Sequence, residues 1–448
     1  MIIKQGLWKS ALDATKNQSG SSFTLRLSRP KAWRLRKENV LNNKVDRQMN
    51  IALFSQFFTH MNNPTIPLST LRRHERLYEV KFIGEDAQDA GGPYRESYQE
   101  YASELMSRCL PLFLPVPNET DPKSANRDQW LPNPNPSGNP TGTSEDITTA
   151  IAASSNTASL SKLHVDAMIF VGQLLGIAMR NELCLPLNFS SILWKVLAND
   201  TPTMEDVYAI DSNTLRIVTL IREFEVTLNP ARGITKESFL EIELYFCCKS
   251  LSGQNINLIS NGSTTQVTYD RREEYCRLLE SYRLHEFDTH LSAIRKGLST
   301  IVPSKILTLM TWEEVAMFVT GKPGRMDLTL LKKHTTYKRW KGDEQTVLWL
   351  WELLEEMEPE DQAAFLKFTW GRTRLPLSSE SFTQPFKLTK RTSNPDAYPI
   401  SHTCFFELEI PEYTTKEIMR EKTIYAFTQC TTIDGDGNAG SAEGWEDA

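Results

Sequence analysis

Apolar positions along this chain recur with two periods, and the switches between them mark its organisation. From Asp46 to His60 they fall at helical spacing, which predicts an amphipathic helix. Glu79 to Ile83 alternates as a strand does, and Gly84 ends it. A polar loop, Glu85 to Gly92, leads to Pro93, which suits a first helical position and opens a helix over Tyr94 to Met106. Helical spacing returns at Leu163 and runs through Phe170, Leu174, Ile177 and Ala178. Gly172 and Gly176 lie on it four apart, which in a soluble helix predicts close packing against a neighbour. Amphipathic helices follow at Leu215 to Phe224 and Glu273 to Arg283, with hairpin signals between them at Ser252-Gly253 and Asn261-Gly262-Ser263.

The sharpest break is Gly321-Lys322-Pro323-Gly324, where two glycines and a proline cannot continue a helix. It lacks the upstream glycine and the following Ser/Thr of a phosphate-binding loop, so nucleotide binding is rejected. Beyond it the pattern predicts helices at Met326 to Thr336, Gln345 to Met357 and Glu360 to Thr369. Strands follow at Phe386 to Leu388 and Cys404 to Ile410, then a last helix from Thr415 to Phe427. Between Pro115 and Ser161 prolines, asparagines, serines and glycines dominate, which predicts a long loop, disordered over about 116–161.

Composition narrows the function classes. With 40% hydrophobic and 24% charged residues the chain has globular proportions, enough at 448 residues for two or three cores. A net charge of −6, with no basic run carrying interleaved aromatics, argues against nucleic-acid binding. Seven cysteines without a CxxC pair point to a reducing compartment, and no His/Cys cluster offers a metal site. The longest apolar run, Ala167 to Met179, is interrupted by Gln173 and too short to span a bilayer. No cofactor is expected, and the expected location is the cytoplasm, with the nucleus as a second site.

The candidate chemistry lies in Tyr398-Pro-Ile-Ser-His-Thr-Cys404-Phe-Phe406. A proline-containing turn precedes the cysteine and an alternating apolar segment follows it, which places a thiol at a loop-to-strand junction. A thiol readily forms a carbonyl thioester at neutral pH, although by itself such a cysteine is more often a buried structural residue. His402 stands two residues earlier; on an extended chain it shares a face with Cys404 and can support the thiolate, or else simply brace the loop. A cysteine hydrolase would need a histidine base and an orienting Asn/Asp, and His402 is too close along an extended chain for that role.

Six segments in order resemble the HECT-type ubiquitin ligases over most of the chain: Val80 to Glu96 with its acidic loop and paired glycines, Leu131-Pro-Asn-Pro134, Phe170 to Ala178, Ile301-Val-Pro303 with Leu331-Lys-Lys333 and Tyr337, Phe368 to Pro376, and Ser401 to Phe406. Tyr282 to Glu286 and Thr369 to Arg372 are most similar to the large HERC group.

The resemblance implies an α+β, bilobal fold. A large, mostly helical N-lobe (71–320, after an extension over 1–70) would dock a ubiquitin-conjugating enzyme. A small α/β C-lobe (325–433) would carry the catalytic cysteine, which maps onto Cys404. A hinge at 321–324 through Gly321 and Gly324 would join them, and a flexible acidic tail (434–448) would follow. The implied partners are ubiquitin, the conjugating enzyme and protein substrates. The implied reaction accepts ubiquitin as a thioester and passes it to a lysine. The alternative is a non-catalytic scaffold for the same pathway. By position, the implied docking contacts are Leu220, Phe224, Tyr275 and Leu279, for each of which plain core packing is an equal alternative on an amphipathic helix. Many family members carry a phenylalanine near the terminus; here Ile433 stands nearest that place. No substrate-recruiting module is apparent, which fits the C-terminal part of a longer polypeptide or one that borrows recruitment.

Overall fold

A computed structural model describes residues 2–16, 23–63, 66–73, 76–85, 91–136, 161–224, 235–392 and 394–429. Its elements mix many helices with four small sheets, an α+β arrangement. Among the described residues the buried apolar side chains form three clusters. The largest runs from Trp8 to Val319, a second gathers Val218 to Tyr282, and a third spans Leu331 to Phe427.

The N-terminal core is built on a helix crossing. The Lys162–Asn181 helix, capped by the Ser161 hydroxyl accepting the His164 N–H, packs along the Asp288–Ile301 helix. Glycines on both sides let the backbones touch. A Cβ at Gly172 would come within 1.8 Å of the Ile294 carbonyl oxygen, and one at Gly297 within 1.8 Å of that of Ile169. Gly176 lies against Ile301 in the same way, so the small-residue spacing does mark a close neighbour. This helix is long and apolar enough to cross a bilayer by composition, but 67% of its apolar window is buried inside the core.

Against the crossing lies a layer that the sequence reading captured in part. Tyr78–Phe82 is the expected strand; its parallel partner, Phe23–Leu27, was not foreseen. The Gly92–Leu105 helix begins at the paired glycines, with Gly91 at φ +116° as its N-cap and Pro93 in the first turn. The helix expected from Asp46 starts only at Leu53, because the buried Asp46 carboxylate accepts the N–H groups of Asn50, Ile51 and Ala52 and folds that stretch into a capped turn. The long loop also needs correction. Residues 116–136 are ordered: Pro117–Thr120 forms a 3-10 turn, and Trp130–Pro132 pairs antiparallel with Phe113–Pro115. The remainder, 137–160, lies outside the described residues.

The cluster from Val218 to Tyr282 surrounds the Ser212–Arg222 and Arg272–His285 helices and the predicted hairpin, Cys247–Lys249 with Asn255–Asn257. The C-terminal core is a four-stranded sheet in the order Thr335–Lys338, Phe386–Lys390, Glu407–Ile410, Ile400–His402, the first three parallel and the last antiparallel. The helices Gln345–Glu356, Pro359–Trp370 and Lys416–Gln429 pack with it. The helix expected over Met326 to Thr336 covers only Leu328–Lys333, and Thr335–Lys338 is a strand. That strand is mostly exposed and polar, so it carries no alternating signal.

Candidate active site

Cys404 stands on the connection between the two antiparallel strands of the C-terminal sheet. His402 pairs with Glu407, and the four residues between them must reverse the chain. They do so as a 3-10 turn, Thr403–Phe405, closed by Phe406 at φ +48°, a left-handed conformation that costs a bulky residue free energy. Tertiary packing holds it there: the fully buried Phe406 ring stacks on Trp370 with centroids 4.1 Å apart and planes 6° from parallel. The Phe406 carbonyl also accepts the Lys387 N–H at 2.8 Å. The turn is thereby fixed from below. Thr403 points inward at 6% exposure, Phe405 is exposed, and Cys404 is half-buried between them.

The turn alters the expected role of His402. Strand alternation stops at His402, so the premise that an extended chain puts it on one face with Cys404 does not hold. Its Nε2 instead lies 3.7 Å from Glu409 Oε1 on the paired strand. The other described cysteines make poor nucleophiles. Burial pushes the thiols of Cys184 and Cys247 up, those of Cys109 and Cys276 up to about 11 and that of Cys248 up to about 12.

Facing the cysteine turn is the start of the Gly92–Leu105 helix. A Cβ at Gly92 would meet Thr403 Oγ1 at 2.7 Å and Cys404 Sγ at 3.0 Å. Arg95 Nη1 donates to the Thr403 carbonyl at 3.4 Å. One helical turn and more along, Thr373 Oγ1 donates to Gln99 Oε1 at 3.0 Å, and Lys367 Nζ lies 3.6 Å from Glu100 Oε1. Two arginines tie the same segment to the N-terminal core, Arg372 to the Glu182 carbonyl and Arg374 to the Thr320 carbonyl, each at 2.8 Å. None of these contacts to the cysteine turn was foreseen from sequence, although the Gly-Gly and Arg-Thr-Arg residues already stood out as motif members.

The two glycines of the 321–324 break differ. Gly321 is buried at φ +72°, ends the Trp312–Thr320 helix by donating to the Met317 carbonyl, and packs so that a Cβ would lie 3.2 Å from that of Cys184. Gly324 is exposed at φ +86° with open space around it.

The four expected docking residues separate sharply. Leu220 is 64% exposed, and Phe224 is half-buried with its ring edge-on to Phe239 at 5.0 Å. Tyr275 and Leu279 are 4% and 3% exposed, inside the Val218 to Tyr282 cluster. The expectation that these two contact a partner is corrected: their helix turns its apolar face into its own subdomain. Among the described residues the exposed apolar side chains of this region are Leu215, Leu220, Leu240, Ile242 and Tyr245.

A strained turn thus carries a half-buried thiol on a small sheet domain set against a larger helical one. The family model for the HECT domain (ubiquitin-transferase) matches residues 99–434, and the chain belongs to that family. Among individual proteins it is similar to the E3 ubiquitin-protein ligase HERC2 of Mus musculus, 36% identical over 392 residues, which are 87% of this chain and 7% of that protein. It is also similar to the E3 ubiquitin-protein ligase pub1 of Schizosaccharomyces pombe, 24% identical over 360 residues, 78% of this chain and 41% of that protein. The E3 ubiquitin-protein ligase HUWE1 of Mus musculus is 24% identical over 363 residues, 80% of this chain and 7% of that protein. The chain thus spans 7% of the length of the HERC2 relative.

Proposed function

We propose that this chain is a ubiquitin-protein ligase domain that accepts ubiquitin from a conjugating enzyme as a thioester on Cys404 and transfers it to a lysine of a protein substrate. The observation that carries the reading is the placement of Cys404: a half-buried thiol on a turn held by the Trp370–Phe406 stack, while burial raises the other described thiols. Family membership supports the same chemistry.

In the first step the Cys404 thiolate attacks the carbonyl carbon of the incoming thioester. A new C–S bond forms, the old one breaks, and the departing thiolate stays on the conjugating enzyme. One thioester replaces another, so the step is nearly neutral in free energy and needs proximity rather than a metal or a strong acid. In the second step a lysine amine attacks the Cys404 thioester. A C–N bond replaces the C–S bond, the amine loses a proton to a base, and the amide product makes the step downhill.

The two cores act as lobes in this reading, with the linker from Gly321 to Gly324 between them. Gly321 is a packed anchor and Gly324 the residue with room to turn. The conjugating enzyme docks on the Val218 to Tyr282 subdomain through Leu220, Phe224 and the exposed apolar side chains beside them. The test is a charging reaction with ubiquitin, activating enzyme and conjugating enzyme, resolved with and without reductant. The wild type should form a reductant-sensitive adduct, Cys404→Ser a reductant-stable oxyester and Cys404→Ala none. An adduct that survives in Cys404→Ala moves the chemistry to another residue, and no adduct in the wild type leaves a scaffold.

A further inference from the structure

We propose that the outward face of the Arg29–Asn42 helix is a docking site for an acidic, tryptophan-bearing segment, and that the segment it holds is residues 434–448 of this same chain. The proposal is independent of the chemistry at Cys404.

The helix has two unlike faces. Ala32 and Leu35 are buried in the N-terminal core, and the arginines on that side are matched by carboxylates, Arg29 by Glu85 and Glu96, and Arg36 by Glu100 and Glu104. On the outward side neither charge nor apolar surface is matched. Lys31, Arg34 and Lys37 pair with no carboxylate among the described residues; Arg34 donates to the Pro30 carbonyl, and the Lys37 ammonium lies 5.5 Å from the centre of the Trp33 ring. Trp33, Val40 and Leu41 are 63%, 84% and 67% exposed, three of the four most exposed large apolar side chains among the described residues. Trp33, Lys37, Val40 and Leu41 stand at i, i+4, i+7 and i+8, so cations and apolar groups share one face. Folding gains nothing from leaving these side chains in water, and a continuous exposed face of this kind marks a contact surface.

Its occupant has to bring carboxylates and an apolar group together. Residues 434–448 do so, with Asp434, Asp436, Glu443, Glu446 and Asp447, no lysine or arginine, and Trp445 beside Glu446. Their attachment also fits. The last helix, Lys416–Gln429, rests Phe427 on Phe365 of the Pro359–Trp370 helix, with ring centroids 6.4 Å apart. Lys367 of that helix lies 3.6 Å from Glu100, and Glu100 pairs with Arg36 on the docking helix itself. Three side-chain contacts therefore connect the point where the segment leaves the C-terminal core with the face it would cover. Residues 430–448, extended at about 3.3 Å each, reach roughly 60 Å, which is far longer than that path. A segment tethered in this way meets its site at an effective concentration on the order of millimolar, so a modest intrinsic affinity keeps it bound.

A zero-length carbodiimide, which joins a lysine amine to a carboxylate in direct contact with it, tests this on the full chain at low ionic strength. Cross-linked peptides are quantified by mass spectrometry from the monomer fraction. Lys31 and Lys37 should join Glu443, Glu446 or Asp447 about tenfold more than does Lys305, an exposed lysine elsewhere on the N-terminal core with no carboxylate partner among the described residues. Raising the salt to about 0.5 M should cut the yield about fivefold by screening. Trp33→Ala keeps every lysine and carboxylate and should lower the yield about fivefold at unchanged melting temperature, as removal of an interface anchor does. Arg34→Glu, which also removes no cross-linking amine, should lower it through repulsion. Yields at Lys31 and Lys37 no higher than at Lys305 overturn the proposal, as does a yield that Trp33→Ala and Arg34→Glu leave unchanged. Cross-links confined to a dimer fraction give the face to a second copy of the chain. Uptake by phosphatidylserine vesicles that Trp33→Ala abolishes, without cross-links to residues 434–448, gives it to a lipid surface. Either result overturns the assignment.

Discussion

Glycine brings backbone against a neighbour at two places in this molecule, and the surroundings of the two contacts differ. At the crossing of Lys162–Asn181 with Asp288–Ile301, Gly172 and Gly297 sit under each other's helices. Their neighbours are buried apolar side chains such as Leu174, Leu175, Leu291 and Leu298. At the meeting of the Gly92–Leu105 helix with the Cys404 turn, the glycine contact is flanked by an arginine, a glutamine, a threonine and a lysine–glutamate pair. Separating the first pair would expose a large apolar surface and costs accordingly. Separating the second exchanges a few polar contacts for contacts with water, which is nearly balanced. Close approach through glycine fixes geometry in both. What lies around the glycine sets how much free energy it takes to separate the contact.

The largest effect expected from this contrast is on stability. Gly172→Ala or Gly297→Ala places a methyl within 1.8 Å of a carbonyl oxygen on the facing helix, and the helices must move apart. Each should lower unfolding free energy by at least about 3 kcal/mol, beyond the usual cost of overpacking, measured by urea denaturation. A loss below about 1 kcal/mol would break the comparison, because the crossing would then be as adjustable as the contact at Gly92.

Acid should weaken the same crossing. His290 lies on the Asp288–Ile301 helix at 4% exposure, and burial, with the His164 imidazole beside it, pushes its pKa down to about 4 from an ordinary 6.5. Below 6.5 the unfolded chain takes up the proton more readily than the folded one. The stability tied to the neutral imidazole is therefore complete above that pH and is lost progressively as pH falls toward about 4. The loss at pH 5 should be about 2 kcal/mol by linkage, and His290→Gln should flatten the profile. A wild-type unfolding free energy that does not change between pH 7.5 and pH 5 would show that the crossing already admits water.

The smallest effect on stability, and a clear one on binding, is expected at the exposed patch. Leu220→Ala and Phe224→Ala should each weaken association with the conjugating enzyme by about 1–3 kcal/mol, read by calorimetry. Leu220→Ala should leave the melting temperature within error. Tyr275→Ala should instead destabilise the fold by about 3 kcal/mol or more, as loss of a buried aromatic does. A binding defect in Tyr275→Ala at unchanged stability would return that residue to the docking surface.

The hydrophobic pattern and the motif residues together were enough for the family and for the larger helices. Periodicity reports directly on which residues share a helical face, and Pro93 and Gly321 mark where helices can start and stop. The strands Phe23–Leu27, Thr335–Lys338 and Ile400–His402 escaped notice. All are short; Phe23–Leu27 does alternate, but those in the C-terminal sheet carry polar or half-exposed side chains with no alternation to announce them. An apolar helical face identifies a surface that must be covered without identifying its cover. Only packing decided that Tyr275 and Leu279 face inward and Leu220 outward. The partners of the cysteine turn are equally a tertiary matter. Gly92 and Cys404 are far apart in the chain, and what brings them together is the docking of one core on the other. Ile433 and residues 434–448 lie outside the described residues. A thiol of a certain kind is written in the sequence; the strained turn that presents it, the glutamate beside His402 and the helix start against which the sulfur lies exist only once the chain has folded.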